Sequence, residues 1–239
     1  MKPVTVILPT FNERGNIERL IAEIVRRLSG EFEIVVADDD SPDRTWEAVE
    51  KMSERDPRIR LIRRLSDHGL TNSLREGIAA ARYDRVIWMD ADFAHPPALL
   101  PALAAVPDEV DIALASRYVP GGHDGRTSAP RRLVSVLLNR LSRRALGSAV
   151  HDLSSGYLRV KKEVFDTVPL RGEYGDYCID FLARAEKRGY RIVEVPYTNL
   201  EREKGYSKTT RNPLIFFRLA LIYGLSLIKL RYEIRGGRP

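Results

Sequence analysis

A chain of 239 residues that is 44% hydrophobic has the length and apolar content for one ordinary α/β domain with a short appendage. Its single cysteine, Cys178, excludes internal disulfides and any cysteine-based metal cluster, a usage natural to a reducing compartment. The net charge of +6 is local: residues 201–239 hold nine of the 39 basic and three of the 33 acidic groups, so the body is neutral. A nucleic-acid binder spreads basic residues over its body among aromatics, so no nucleic-acid partner is expected. A basic end beside apolar sequence suits an anionic membrane surface instead. Met1-Lys2-Pro3 runs straight into a strand, and no export signal is expected.

Val4 to Leu8 is a β-branched strand closed by Pro9, after which Ile17, Leu20, Ile21, Ile24, Val25 and Leu28 recur at helical spacing. Phe32 to Ala37 is a second strand, ending in Asp38-Asp39-Asp40-Ser41-Pro42-Asp43, and Trp46 to Met52 makes a helix. Ile59 to Ile62, Leu70 to Ala81 and Val86 to Met89 repeat the pattern as strand, helix and strand. Such alternation implies right-handed crossovers and a mainly parallel, twisted sheet of the α/β class. Asp111 to Ala115 is a further strand leading into a mobile loop, Ser116 to Gly122, and Arg131 to Leu146 a helix on which Arg131, Arg132, Ser135 and Asn139 can share a face. A strand ending near Val160, a helix from Asp180 to Arg188 and a strand from Arg191 to Val195 complete the body.

Three loops follow the carboxyl ends of the early strands: Pro9 to Glu13, Asp38 to Asp43 and Asp90 to Pro97. In a parallel sheet they meet on one edge, where ligands bind. They are rich in acid, amide and hydroxyl, which suits sugar and base hydroxyls plus a metal better than bare phosphate. Only Gly15 follows the first strand, so neither a dinucleotide fingerprint nor a Walker loop is present. In the third loop the pleat would place Asp90 and Asp92 on one side with Ala91 between them. At about 4 Å and an effective dielectric near 20 each unit-charge pair is worth about 4 kcal/mol, so a divalent cation there turns a cost into a gain. Two solvated acids in a loop remain the plainer alternative for this pair alone.

Taken together, Leu8-Pro9-Thr10-Phe11-Asn12-Glu13, the 38–43 run, Gly69-Leu70, Asp90-Ala91-Asp92 with His95-Pro96-Pro97, Ser116-Arg117-Tyr118, Ser155-Gly156-Tyr157 and Arg202 through Gly205-Tyr206-Ser207-Lys208 resemble family 2 glycosyltransferases. The likeness is strongest to dolichol-phosphate (polyprenyl-phosphate) mannose synthases and runs in order from residue 4 to about 210. It implies a GT-A fold over residues 1–211, a nucleotide-sugar donor with GDP-mannose favoured, Mg2+ or Mn2+, inversion at the sugar carbon and a polyprenyl (dolichyl) phosphate acceptor. The resemblance places Pro9, Phe11 and Glu13 around the base and ribose with Asp38 and Asp40, the metal on Asp90 and Asp92, acceptor phosphate against Arg117, Arg131 and Ser135, and diphosphate or acceptor against Arg202 and Lys208. Asp92 and the four basic groups are the catalytic candidates. Ala94, Arg44, Val136 to Leu138, Leu158 and Cys178 depart from the family pattern, mostly on the acceptor side.

In the tail, Leu214 to Ile228 is apolar except for Arg218 and reaches roughly 22 Å as a helix, short of the roughly 30 Å hydrocarbon core. Arg211, Arg218 and Lys229 fall within about 20° of one another, giving a basic stripe beside a broad apolar face. Residues 212–239 are thus expected as an amphipathic helix and tail that meet a membrane surface through 212–230, with the enzyme peripheral on the cytoplasmic side. A helix packed on its own domain or in a dimer is the alternative. Two other functions stay open. One is a soluble glycosyltransferase with a carbohydrate acceptor, which needs a base such as Asp92 or Asp152; the other is a nucleotide-sugar-binding protein without turnover.

Overall fold

The computed structural model describes residues 2–172, 176–201, 227–234 and 236. In chain order the elements are β1 (Val4–Thr10), α1 (Ile17–Arg27), β2 (Phe32–Asp38), α2 (Thr45–Ser53), β3 (Ile59–Arg63), α3 (Leu70–Ala80) and β4 (Arg85–Trp88). A 3-10 turn, Pro97–Leu99, then runs into α4 (Leu100–Ala104), followed by β5 (Ile112–Ser116), β6 (His123–Asp124), α5 (Ala129–Leu146) and β7 (Leu158–Lys161). The remainder is α6 (Val164–Thr167), α7 (Asp176–Lys187), β8 (Ile192–Pro196) and β9 (Thr198–Asn199), with residues 227–234 helical.

Seven strands make one sheet in the order β3-β2-β1-β4-β7-β5-β8. β3, β2, β1 and β4 are parallel, as are β5 and β8, whereas β7 runs antiparallel to both its neighbours. The order turns back between β1 and β4, and in open α/β sheets ligands bind at such a switch, outside the carboxyl ends of the strands. Because β7 is reversed, the residues that precede it, 152–157, arrive at this same edge.

The pleat divides the apolar residues between two cores. Val4, Val6 and Leu8 of β1 join Ile87 of β4 against α1, α2 and α4, while Ile7 joins Val86 and Trp88 against α3, α6 and α7. β2 is buried along its whole length, and of its two acids Glu33, at the end away from the loops, accepts bonds from Thr5 Oγ1 (2.8 Å) and Arg60 Nη1 (3.0 Å). Arg44, where the resemblance expects glycine, has φ 59°, the left-handed backbone that glycine adopts without steric cost.

Two expectations change. β4 ends at Trp88, so Asp90 and Asp92 lie in a turn beyond the strand and the loop, not the pleat, sets their directions. The 116–122 stretch is a packed turn rather than an open loop: Gly122 N–H donates to Val119 O at 2.8 Å, and a Cβ on Gly122 would come within 2.5 Å of Ser116 O. Of the expected 212–230 helix only the end is described. There Leu230 is buried, Leu227 and Ile234 pack on the second core, and Glu233 pairs with the buried Arg184 of α7, as in a helix packed on its own domain.

Helix α3 approaches β1 through Gly77, where a Cβ would sit 2.5 Å from Ile7 Cγ2. Gly77→Ala gains about 1 kcal/mol of helix propensity but forces a buried β-branched side chain to move, at about 1–3 kcal/mol or more. The net expectation is a melting temperature lower by several degrees; an unchanged or raised melt by calorimetry would contradict this packing.

Candidate active site at the carboxyl edge of the sheet

The loops after β1 and β2 are sewn together. Asp38 is fully buried; its Oδ2 accepts Thr10 Oγ1–H and Ser41 Oγ–H, both at 2.7 Å, and its Oδ1 accepts Ser41 N–H at 2.8 Å. Asn12 N–H donates to Ser41 Oγ (2.9 Å), Glu13 N–H to Thr45 Oγ1 (2.9 Å) and Arg14 N–H to Asp43 Oδ2 (3.0 Å). Glu13 is buried and accepts from Asn16 Nδ2 at 2.8 Å, while Pro9 and Phe11 are partly exposed beside it. Asp38 therefore shapes this wall through its neighbours, whereas Pro9, Phe11 and Asp40 keep open surface.

Asp39 and Asp40 of the 38–43 run have cationic partners. Asp39 pairs with the buried Arg64 and accepts Gly69 N–H (2.7 Å) and Ser73 Oγ–H (2.8 Å), which fastens the β2 loop to the start of α3. Asp40, at φ 50°, pairs with Arg63 at 2.6 Å, and the Arg63 guanidinium lies 3.6 Å over the Trp46 ring.

Asp90 and Asp92 differ in exposure. Asp92 is 4% exposed and its Oδ1 accepts Ala94 N–H at 2.9 Å, while about half of the Asp90 side chain (49%) is open to solvent. Between them and α4 the chain passes through Phe93 at φ 66°, with the Arg19 guanidinium 4.3 Å above its ring. His95, which sequence reasoning gave no role of its own, is buried against Tyr157 and Tyr197, and its Nδ1 accepts Asp90 N–H at 3.0 Å. The motif flagged the position, but nothing local signals the bond.

Across the edge, Arg117 and Asp152 form a buried bidentate pair, Nε to Oδ2 and Nη2 to Oδ1, each 2.7 Å, with Nη2 also donating to Ser154 Oγ at 2.9 Å. Burial alone would lower the guanidinium pKa, but the hydrogen bonds and charge of Asp152 outweigh it and raise it well above its ordinary value. A phosphate meeting Arg117 has to be held from Nη1. Ser135 Oγ accepts Tyr118 Oη–H at 2.8 Å, Asn139 Nδ2 donates to Ser154 Oγ at 2.8 Å, and these contacts seat α5 beside the site. Arg131 stands exposed in the first turn of α5. At the foot of that helix Glu201 Oε2 accepts Thr127 N–H (2.8 Å) and Oγ1–H (2.9 Å). Arg202 and Lys208, together with residues 173–175, lie outside the described residues.

Helix α5 seats Leu138 and Leu146 on the second core but also carries an exposed apolar side. Its small polar residues Ser135, Asn139 and Ser142 face the body, whereas Leu133 (59% exposed), Val134 (39%), Leu137 (46%) and Leu141 (62%) face away. At 100° per residue these four span an arc of about 100°, with exposed Arg140 at one edge and exposed Arg144 within it, between Leu133 and Leu137.

The donor set fits a hard divalent cation. Two carboxylates within three residues offer oxygen ligands, and no group of three or more His, Cys, Asp or Glu that could hold an ion by itself occurs among the described residues. Mg2+ and its relatives are commonly bound this way, by one or two carboxylates plus substrate phosphates.

The chain was compared with known proteins. Residues 5–168 match the model of glycosyl transferase family 2. A dolichol-phosphate mannosyltransferase of Pyrococcus furiosus is 38% identical over 226 residues, covering 93% of this chain and 63% of the relative, so this chain spans less than two thirds of that protein. A polyprenol monophosphomannose synthase of Mycolicibacterium smegmatis is 36% identical over 85% of this chain and 79% of its own. An undecaprenyl-phosphate mannosyltransferase of Micrococcus luteus is 32% identical over 86% of each chain. Among solved structures, glucosyl-3-phosphoglycerate synthase from Mycobacterium tuberculosis, crystallised with Mn2+, UDP and glucosyl-3-phosphoglycerate, superposes with a TM-score of 0.68 at 20% identity over 98% of this chain and 80% of that one. The sheet order, the acidic edge and these matches agree on one conclusion: the chain has the GT-A architecture and belongs to glycosyl transferase family 2.

Proposed function

We propose that the protein transfers a hexosyl group, mannose from GDP-mannose, with inversion onto the phosphate of a polyprenyl (dolichyl) phosphate at a membrane surface. The observation that carries this reading is a juxtaposition: a carboxylate-lined edge at the β1/β4 switch stands beside a helix, α5, that exposes Leu133, Leu137 and Leu141. The first suits a metal and nucleotide diphosphate. The second suits a lipid-borne acceptor. The three relatives named above, each a mannosyltransferase or mannose synthase named for a dolichyl, polyprenyl or undecaprenyl phosphate, support the same pairing.

Pro9, Phe11 and Glu13 receive the base and ribose, with Asp40 at the rim and Asp38 holding the wall in shape. Asp90 and Asp92 hold Mg2+ or Mn2+, which when bound neutralises charge on the departing diphosphate and templates the donor. A phosphate monoester has a second pKa near 6 and is largely ionised at neutral pH, so this acceptor requires no general base. What it requires is cations that overcome the repulsion between two phosphates. Arg131 and Ser135, one turn apart on α5, supply part of this clamp, with Arg117 Nη1 behind them and Arg202 and Lys208 in the segment that follows Glu201. A carbohydrate acceptor would need a base, and Asp152, buried with both oxygens engaged by Arg117, is withdrawn from that role.

Purified protein given labelled GDP-mannose, short-chain polyprenyl phosphate and Mg2+ or Mn2+ should form the mannosyl lipid. Asp92→Asn should lower kcat/KM by a factor on the order of 10²–10³. Absence of transfer from both GDP and UDP sugars with metal present would defeat the proposal. The surface assignment has its own test. Replacing Leu137 and Leu141 together with Glu should weaken retention on anionic liposomes by roughly a hundredfold while GDP affinity stays the same; full retention would refute α5 as the membrane-facing element.

A further inference from the structure

The Asp90 loop is held by a contact that the chemistry of the carboxylates does not itself supply. His95 Nδ1 accepts the backbone N–H of Asp90 at 3.0 Å, which closes a ring between the residue that carries one carboxylate and a side chain five positions on. A nitrogen that accepts has no proton, so the ring is the neutral tautomer with its hydrogen on Nε2. Its Nδ1 is 3.9 Å from Asp90 Oδ2, beyond hydrogen-bonding reach, so His95 holds the backbone of Asp90 and leaves its carboxylate to other contacts.

The ring is itself fixed. It stacks on Tyr157 at 5.0 Å and 22°, and Tyr197 meets it edge-on at 6.1 Å. Both tyrosines are buried, and burial raises both phenol pKa values, so these rings are neutral packing surfaces. Tyr157 Oη donates to Pro96 O at 3.3 Å, and Leu200 N–H donates to Ala94 O at 3.0 Å. Tyr157 enters β7, and Tyr197 and Leu200 flank β9, so the turn that carries the two acids is fastened from the far half of the sheet.

We propose that His95 is a positioning residue for the cation site: its Nδ1, locked by the Tyr157–Tyr197 stack, fixes the Asp90 backbone so that the carboxylate is preorganised toward the ion. This rests on the reading of Asp90 and Asp92 as metal ligands. Groups behind a ligand that fix its orientation commonly carry 10–100-fold of metal affinity. The acceptor nitrogen, rather than the ring as such, is the part that matters.

Two variants separate these contributions. His95→Phe keeps a ring in the stack and removes the acceptor, while His95→Asn places an amide oxygen near the position of Nδ1 and removes the ring. Mn2+ binding in the presence of GDP, followed by electron paramagnetic resonance of free Mn2+, should weaken about tenfold or more in H95F. It should stay close to wild type in H95N, with metal-free GDP binding unchanged in both. Wild-type Mn2+ affinity in H95F overturns the proposal, as does equal weakening in the two variants, which would assign the effect to ring packing. A wild-type protein that binds GDP but no Mn2+ would instead overturn the metal reading on which the proposal rests. A measurement that needs no variant is the 15N shift of His95 Nδ1 in the wild-type protein: an unprotonated, hydrogen-bonded nitrogen is expected, and a protonated one overturns the proposal.

Discussion

Negative charge crowded along one sheet edge is the constraint to which much of this structure responds. Parallel strands deliver their following loops to one side, and here those loops carry Glu13, Asp38, Asp39, Asp40, Asp43, Asp90 and Asp92 within a small region. The fold answers most of them from its own resources. Thr10 and Ser41 satisfy Asp38, Arg64 and Ser73 hold Asp39, Arg63 holds Asp40, and Thr45 with Arg14 N–H engages Asp43. Each of these also ties one loop to another, so the offsetting of charge and the shaping of the wall are accomplished by the same bonds. Asp90 differs in keeping about half of its side chain in solvent, where a ligand can reach it.

The second half of the sheet depends on reversing one strand. With β7 antiparallel between β4 and β5, the segment 152–157 comes to the carboxyl edge and brings Asp152 to Arg117, Ser154 to Asn139 and Tyr157 to His95. A buried ion pair as closely matched as Arg117–Asp152 is held together because removing either partner leaves an uncompensated charge. It fixes the turn between β5 and β6, and with it the base of α5. Helix α5 is seated by Ser135 and Asn139 together with Leu138 and Leu146, and its outward Leu133, Leu137 and Leu141 are what connect the donor edge to a lipid in the functional reading.

Much of the donor half was legible from residues alone. β1, α1, β2 and α3 lie within a residue or two of where β-branched runs and helical spacing put them, because those patterns are long and their two faces differ strongly in burial. The edge location followed from strand–helix alternation. What stayed hidden involved partners distant in sequence. Periodicity carries no strand direction, so nothing marked β7 as antiparallel. The resemblance put Arg117 at the acceptor phosphate but could not show its pairing with Asp152, 35 residues away, and the face shared by Ser135 and Asn139 gave no sign that it points inward. The Asp90 turn escaped the pleat argument because the chain leaves the strand at Trp88 to let His95 fold back.

The central claim is that Asp90 and Asp92 hold a divalent cation against a nucleotide diphosphate. Anomalous scattering from crystals grown with Mn2+ and GDP measures it most directly. The account predicts a manganese peak bound by oxygens of both aspartates and of the diphosphate. GDP bound along the β1 and β2 loops, with no manganese at either carboxylate, would contradict it.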